Sequence, residues 1–163
     1  MKWADLSDDG VWTIPVSPRE KSTAGAIMLP QVALDIIRSQ PLIGDNPYVF
    51  PGRGRGHFCG FGNAKRDFDA KLPDVAPWVL HDLRRTARSL LSRAQVRLDI
   101  AELVLGHSVG GVREIYDRHT YDREKADALA RLSVLIDGIV NPRDSVTPMR
   151  KRARQHDAIA DDL

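Results

Sequence analysis

Through the second half of this 163-residue chain, apolar residues recur at helical spacing, and glycines and prolines cut the pattern into separate lengths. Leu83, Ala87, Leu90, Leu91 and Ala94 mark the clearest helix, with Leu83 as the start of its core stripe. Leu98 to Leu105 predict the next, ending at Gly106, a residue suited to the left-handed position just past a helix end. Gly110-Gly111 then separates a short helix through Val112, Ile115 and Tyr116. Asp122 is placed to cap a long last helix with a stripe of Leu129, Leu132, Ile136 and Ile139, stopped by Asn141-Pro142.

The first half carries the other period. Trp12, Ile14 and Val16 alternate along Val11 to Val16 as in a strand, and Ala24 to Leu29 is a second strand candidate. Ser17 to Ser22 forms the turn between them. Pro30 opens a helix in which Val32, Ala33, Ile36 and Ile37 repeat, and Pro41 closes it. Five glycines between Pro51 and Asn63 predict a flexible loop, which also holds Arg53, Arg55 and His57. Phe61, Ala64, Phe68 and Leu72 predict a short amphipathic helix. The fold class is therefore mostly α with a small antiparallel β-hairpin element, as one domain over 1–140. The segment 141–163 reads as a flexible tail, basic and then acidic: five Arg or Lys stand against one Asp in 142–154, before Asp157, Asp161 and Asp162.

Bulk properties exclude little. An apolar content of 42% and a charged content of 28% are ordinary for a globular domain. A net charge of +2 permits nucleic-acid binding without arguing for it, because binding needs cations gathered on one face. The lone Cys59 allows no internal disulfide and fits a reducing, cytoplasmic compartment. No apolar run reaches the roughly 18 residues of a membrane span. The five histidines, at 57, 81, 107, 119 and 156, include no i,i+4 pair, so no metal site and no cofactor is expected.

Three short stretches carry the chemistry: His81-Asp82-Leu83-Arg84-Arg85, Leu105-Gly106-His107 and Ile115-Tyr116-Asp117-Arg118. His81 and Arg84 share a helix face one turn apart, and Arg88 follows on the same accessible edge. A planar guanidinium grips two phosphate oxygens at once. A phenol, with an ordinary pKa of about 10, attacks a phosphodiester only where cations share its proton or its charge. Two tyrosines compete for that role, nine and fourteen residues beyond His107: Tyr116 and Tyr121.

His81-Asp-Leu-Arg-Arg-Thr86, Leu105-Gly-His107 and Tyr116 resemble box II and the nucleophile of tyrosine recombinases, the phage integrase family. Trp12-Thr-Ile-Pro15 followed by Glu20-Lys21-Ser22 resembles the hairpin bearing that family's catalytic lysine, and Tyr48-Val-Phe-Pro51 resembles the stretch leading to box II. The resemblance implies the catalytic-domain fold of DNA breaking-rejoining enzymes, and it selects Tyr116 over Tyr121. It also implies roles. Arg84 would hold the non-bridging oxygens of the scissile phosphate, with His81 and His107 beside it as hydrogen-bond partners. Lys21 would protonate the leaving 5′ oxygen, while Arg19, Arg88 and Arg118 are candidate contacts to the DNA backbone.

The implied activity is site-specific recombination of a prophage type. Tyr116 would form a 3′-phosphotyrosyl link and free a 5′ hydroxyl, using neither metal nor ATP. The implied partners are a double-stranded recombination site and further copies of the chain, assembled as tetramers on DNA, with no membrane. Met1-Lys2-Trp3-Ala4-Asp5-Leu6 resembles the stretch just after the family's first catalytic arginine, so the chain reads as an N-terminally truncated catalytic domain with weak or no activity of its own. The alternative is a DNA-binding or oligomerising remnant without catalysis. A type IB topoisomerase uses similar groups, but the residues around His107 and Tyr116 are closer to the phage type.

Overall fold

A computed structural model describes residues 1–15, 25–107 and 119–142. Two strands, β1 (Val11–Ile14) and β2 (Gly25–Met28), pair antiparallel with Val11 opposite Met28 and Ile14 opposite Gly25. A 3-10 turn over Trp3–Asp5 precedes them. The helices among the described residues are α1 (Gln31–Arg38), α2 (Phe61–Asp69), α3 (Leu80–Arg93), α4 (Leu98–Val104) and α5 (Asp122–Val140). The domain is thus mostly helical with one small two-stranded antiparallel sheet.

The core lies where α3, α4 and α5 meet. Leu91, Ile100, Ala101 and Ala128 are buried together, ringed by Val96, Leu103, Val104, Leu105, Tyr121 and Leu132. Two of the four buried residues are alanines, so the backbones of α4 and α5 can approach closely around Leu91. The sheet is hitched to this core by a polar tie, since Lys125 on α5 donates from Nζ to the Ala26 carbonyl of β2 at 3.2 Å. Leu34 and Ile37 of α1 and Val49 are buried outside that cluster. Gly10 fixes how α1 meets β1: its φ is +85°, and a Cβ there would stand 2.7 Å from Leu34 Cδ1.

Several expectations are corrected. Leu83 opens no core stripe; it is 59% exposed, because α3 turns Leu91, with Ala87 and Leu90 partly covered, toward α4 and α5. The stripe on the last helix holds only in its first half. Leu129 and Leu132 are partly covered, whereas Ile136 and Ile139 are exposed. Asp122 is not the cap of α5 but its first residue, preceded by Tyr121 in the left-handed conformation at φ 53°. Its carboxylate instead accepts from Thr120 Oγ1 at 2.7 Å and pairs with Lys125 Nζ at 2.8 Å.

The glycine-rich stretch after Pro51 is more ordered than its composition suggests. Asn46, buried, donates through Nδ2 to the carbonyls of Gly54 and Gly56 at 2.8 and 3.0 Å and accepts the Tyr48 N–H through Oδ1 at 3.0 Å. Pro51 and His57 form a bridge pair across the loop, and its last three residues, from Phe61, already belong to α2. The strand ends near Val16 and Ala24, the turn between them, the short helix through Val112, Ile115 and Tyr116, and the tail from 143 lie outside the described residues.

Truncating Leu91 to Ala should cost about 2–5 kcal/mol, the range for a fully buried leucine whose cavity cannot collapse. Val134→Ala, at a side chain 73% exposed, should stay within about 0.5 kcal/mol. Urea unfolding of both variants checks the pair, and equal midpoints would contradict the packing described.

Candidate functional site

A cavity of about 520 Å³ opens where the sheet, α3, the end of α4 and the start of α5 come together. Trp12 and Ile14 of β1, with Gly25 and Ile27 of β2, form one wall. Arg84 reaches it from α3, Leu105 and Gly106 close it from the end of α4, and His119, Thr120 and Lys125 border it on the α5 side. Three groups able to carry positive charge therefore line one hollow whose other walls are largely apolar. Trp12 adds an indole N–H that is buried with no hydrogen-bond partner among the described residues.

Arg84 is half-buried and held in place, with its Nη2 donating to the Leu105 carbonyl. That bond spans 21 residues and ties α3 to the turn that ends α4. It satisfies one orphan carbonyl of the helix end and uses one of the five guanidinium N–H donors. Lys125 is 9% exposed, and its ammonium is shared between Asp122 and the Ala26 carbonyl. Nothing in the local sequence marks Lys125 as more than a helix-surface residue; only the packing of α5 against β2 buries it.

The end of α4 is built by a recognisable local device. Gly106, at φ +71°, donates its N–H to Leu103 O at 3.0 Å, and His107 N–H donates to Glu102 O at 2.9 Å. These are the two bonds of a Schellman motif, which brings the residue after the glycine back over the last helical turn. His107 therefore lies against Glu102, with its Nδ1 2.5 Å from Glu102 Oε2. The other carboxylate oxygen, Oε1, accepts from Arg88 Nε at 2.7 Å, while Arg88 Nη1 donates to Ser92 Oγ at 2.6 Å.

Of the candidates named from the sequence, Arg84 lines the cavity and His107 follows the cavity residue Gly106 directly, its own ring turned onto Glu102. Neither His81 nor His107 is a lining residue; His81 stands exposed near the start of α3. Arg88 is committed within the protein to Glu102 and Ser92. Lys21, Tyr116, Arg118 and Arg19 lie outside the described residues. Tyr121 packs against the core cluster and stacks edge-on to His119, with ring centroids 4.5 Å apart. Lys125 and Glu102 are the residues that sequence reasoning did not single out for the site. Among the described residues no cluster of His, Cys, Asp and Glu is placed to hold a metal ion, and no helix is long and apolar enough to cross a membrane.

Three carboxylates are held below their ordinary range. For Glu102 the largest cause is the bond from His107, followed by that from Arg88. For Asp122 it is Lys125 and then Thr120, and for Asp82 it is the Val79 N–H at the start of α3, helped by Arg85.

Comparisons with family models, with curated proteins and with solved structures return no match to this chain.

Because these carboxylates hold protons less tightly folded than unfolded, unfolding takes up protons in acid. Their contribution to stability is complete above the ordinary carboxylate pKa and fades as pH falls through the lowered values of the folded state. Urea midpoints measured from neutral pH down to about pH 3 should fall, and Glu102→Gln should make that fall shallower. An identical slope in wild type and variant would show that Glu102 is not the coupled group.

Proposed function

We propose that this chain is the catalytic part of a DNA strand transferase that works through a tyrosyl-phosphate intermediate, resembling phage-type tyrosine recombinases. One observation carries the reading. Described residues of two sequence boxes, and described residues that adjoin the other two in sequence, line a single cavity: Arg84 of box II, Gly106 of the Leu-Gly-His box, Ile14 and Gly25 before and after the segment holding Lys21, and His119 after the segment holding Tyr116. These positions are far apart in sequence. A cavity lined by Arg84, Lys125 and His119 suits a phosphodiester, whose charge grows in the transition state.

In this reading the Tyr116 hydroxyl attacks the scissile phosphorus. The bond to the 5′ oxygen breaks, and Lys21 supplies the proton that this oxygen takes up. Arg84 is fixed beforehand by Leu105, so it neutralises the non-bridging oxygens without reorganising during the reaction. The product is a 3′-phosphotyrosyl link and a free 5′ hydroxyl. A 5′ hydroxyl from a second strand reverses the step, so one phosphoester is exchanged for another and no external energy source enters. The substrate is double-stranded DNA carrying a recombination site, and paired sites call for more than one copy of the chain.

A second reading, a DNA-binding remnant without catalysis, is favoured by one feature. Arg84, Arg88 and Lys125 are each already bonded to protein oxygens, as they would be in a domain kept for binding alone.

Incubation with a nicked DNA duplex bearing the site, followed by a denaturing gel, separates the two. A weakly forming covalent adduct is the expected outcome, one that vanishes in Tyr116→Phe and persists in Tyr121→Phe. Arg84→Ala should slow its formation about a hundredfold or more, the effect of removing about 3–4 kcal/mol of charge stabilisation. Salt-sensitive binding with no adduct would leave the remnant reading standing.

A further inference from the structure

We infer that Glu102 is a positioning residue for His107, clamped in turn by Arg88, and that it fixes the imidazole so that Nε2 is the ring nitrogen left for a ligand.

The inference starts from what this corner of the fold would otherwise contain. In a Schellman motif the residue after the glycine commonly makes an apolar contact with the residue five before it. Here that pair is His107 and Glu102, joined through both backbone and side chain. An apolar pair would end the helix equally well, so the polar pair is not explained by helix termination. Glu102 is also badly placed for its own helix. It sits in the last turn of α4, where the exposed carbonyl ends disfavour an anion. Arg88 from α3 and His107 from the turn offset that cost, one on each carboxylate oxygen. A carboxylate held on both oxygens cannot swing away, and the ring bonded to it is held as well.

Chemistry settles which nitrogen does what. An ionised carboxylate only accepts hydrogen bonds, so the proton between the two groups belongs to His107 Nδ1. The neutral ring is then the Nδ1–H form with a bare Nε2, and the protonated ring carries a single uncommitted N–H, at Nε2. Either way one nitrogen is spent on Glu102 and the other has no partner among the described residues, on a side chain half exposed beside the cavity residue Gly106. The Glu102 carboxyl, held below its ordinary range, agrees with this, since His107 is the largest cause of its shift and Arg88 the next.

This inference rests on the proposed strand-transfer chemistry only for what the open nitrogen touches; the clamp itself can be tested without DNA. The full chain is labelled with nitrogen-15, and two-bond proton–nitrogen correlation spectra are recorded at a pH where the imidazoles are neutral. His107→Gln identifies the His107 signals. The wild type should show His107 with a protonated Nδ1 and a bare Nε2. Glu102→Ala should move it to an exchanging mixture of the two ring forms. Glu102→Gln offers one acceptor oxygen where the clamp uses two, so with that oxygen on Arg88 its amide N–H faces Nδ1 and should move the ring toward the Nε2–H form in a folded chain. A wild-type ring protonated at Nε2, or an Ala variant with an unchanged spectrum, overturns the proposal.

The nicked-DNA assay gives the functional arm. Adduct formation should fall about ten- to hundredfold in Glu102→Ala, the range for lost supporting partners of a site ligand, and should fall in Glu102→Gln as well. Equal rates in wild type and Glu102→Ala overturn the positioning role. If the wild type forms no adduct at all, the strand-transfer reading falls, and the spectra alone decide the clamp.

Discussion

Close packing of α3, α4 and α5 around Leu91 is the constraint on which everything else in this domain rests. Ala101, Ala128 and Ile100 are buried with it, and the small alanines let the helices come close. Arg84 is brought to the Leu105 carbonyl, Arg88 to Glu102, and Lys125 to β2 because the three helix axes are fixed by that small apolar centre. Loss of the centre would separate pairs 21, 14 and 99 residues apart at one stroke.

A second theme is the way cations are managed. Arg84, Arg88 and Lys125 are all partly or largely covered, and each has protein oxygen within bonding distance. Arg84 spends one donor on the Leu105 carbonyl, whereas Arg88 and Lys125 each spend two on protein oxygens, Lys125 with the Asp122 carboxylate as one of them. At His107 one nitrogen anchors the ring and the other has no partner among the described residues.

Secondary structure was largely legible because it depends on local spacing. The paired strands, the helix after Pro30, the helix stop at Gly106 and the long last helix all follow from periodicity and from residues with special backbone preferences. Legibility ended where a partner was needed. Leu83 has the spacing of a core residue, yet no described element covers the start of α3. Ile136 and Ile139 fail for a related reason. At about 1.5 Å per residue, the 19-residue α5 far outruns the 7-residue α4 beside it, and its far half shares only an open hollow with Pro30 and Val32 among the described residues. The glycine-rich loop misled in the opposite direction: a single buried side chain, Asn46, supplies the hydrogen bonds that its composition left open.

By itself, the sequence determined the helical character of the domain, the paired strands, the turn at Gly106 and the set of imidazole, guanidinium and phenol groups the chain carries. These are properties of nearest neighbours along the chain: the period of the apolar stripes, the left-handed freedom of glycine, the functional groups themselves. Only the tertiary structure decided that Arg84 shares a cavity with His119 and Lys125, that Arg88 serves Glu102, and that Glu102 holds His107. Those pairings depend on how α3, α4, α5 and the sheet pack against one another, a distance in space that spacing along the chain does not encode.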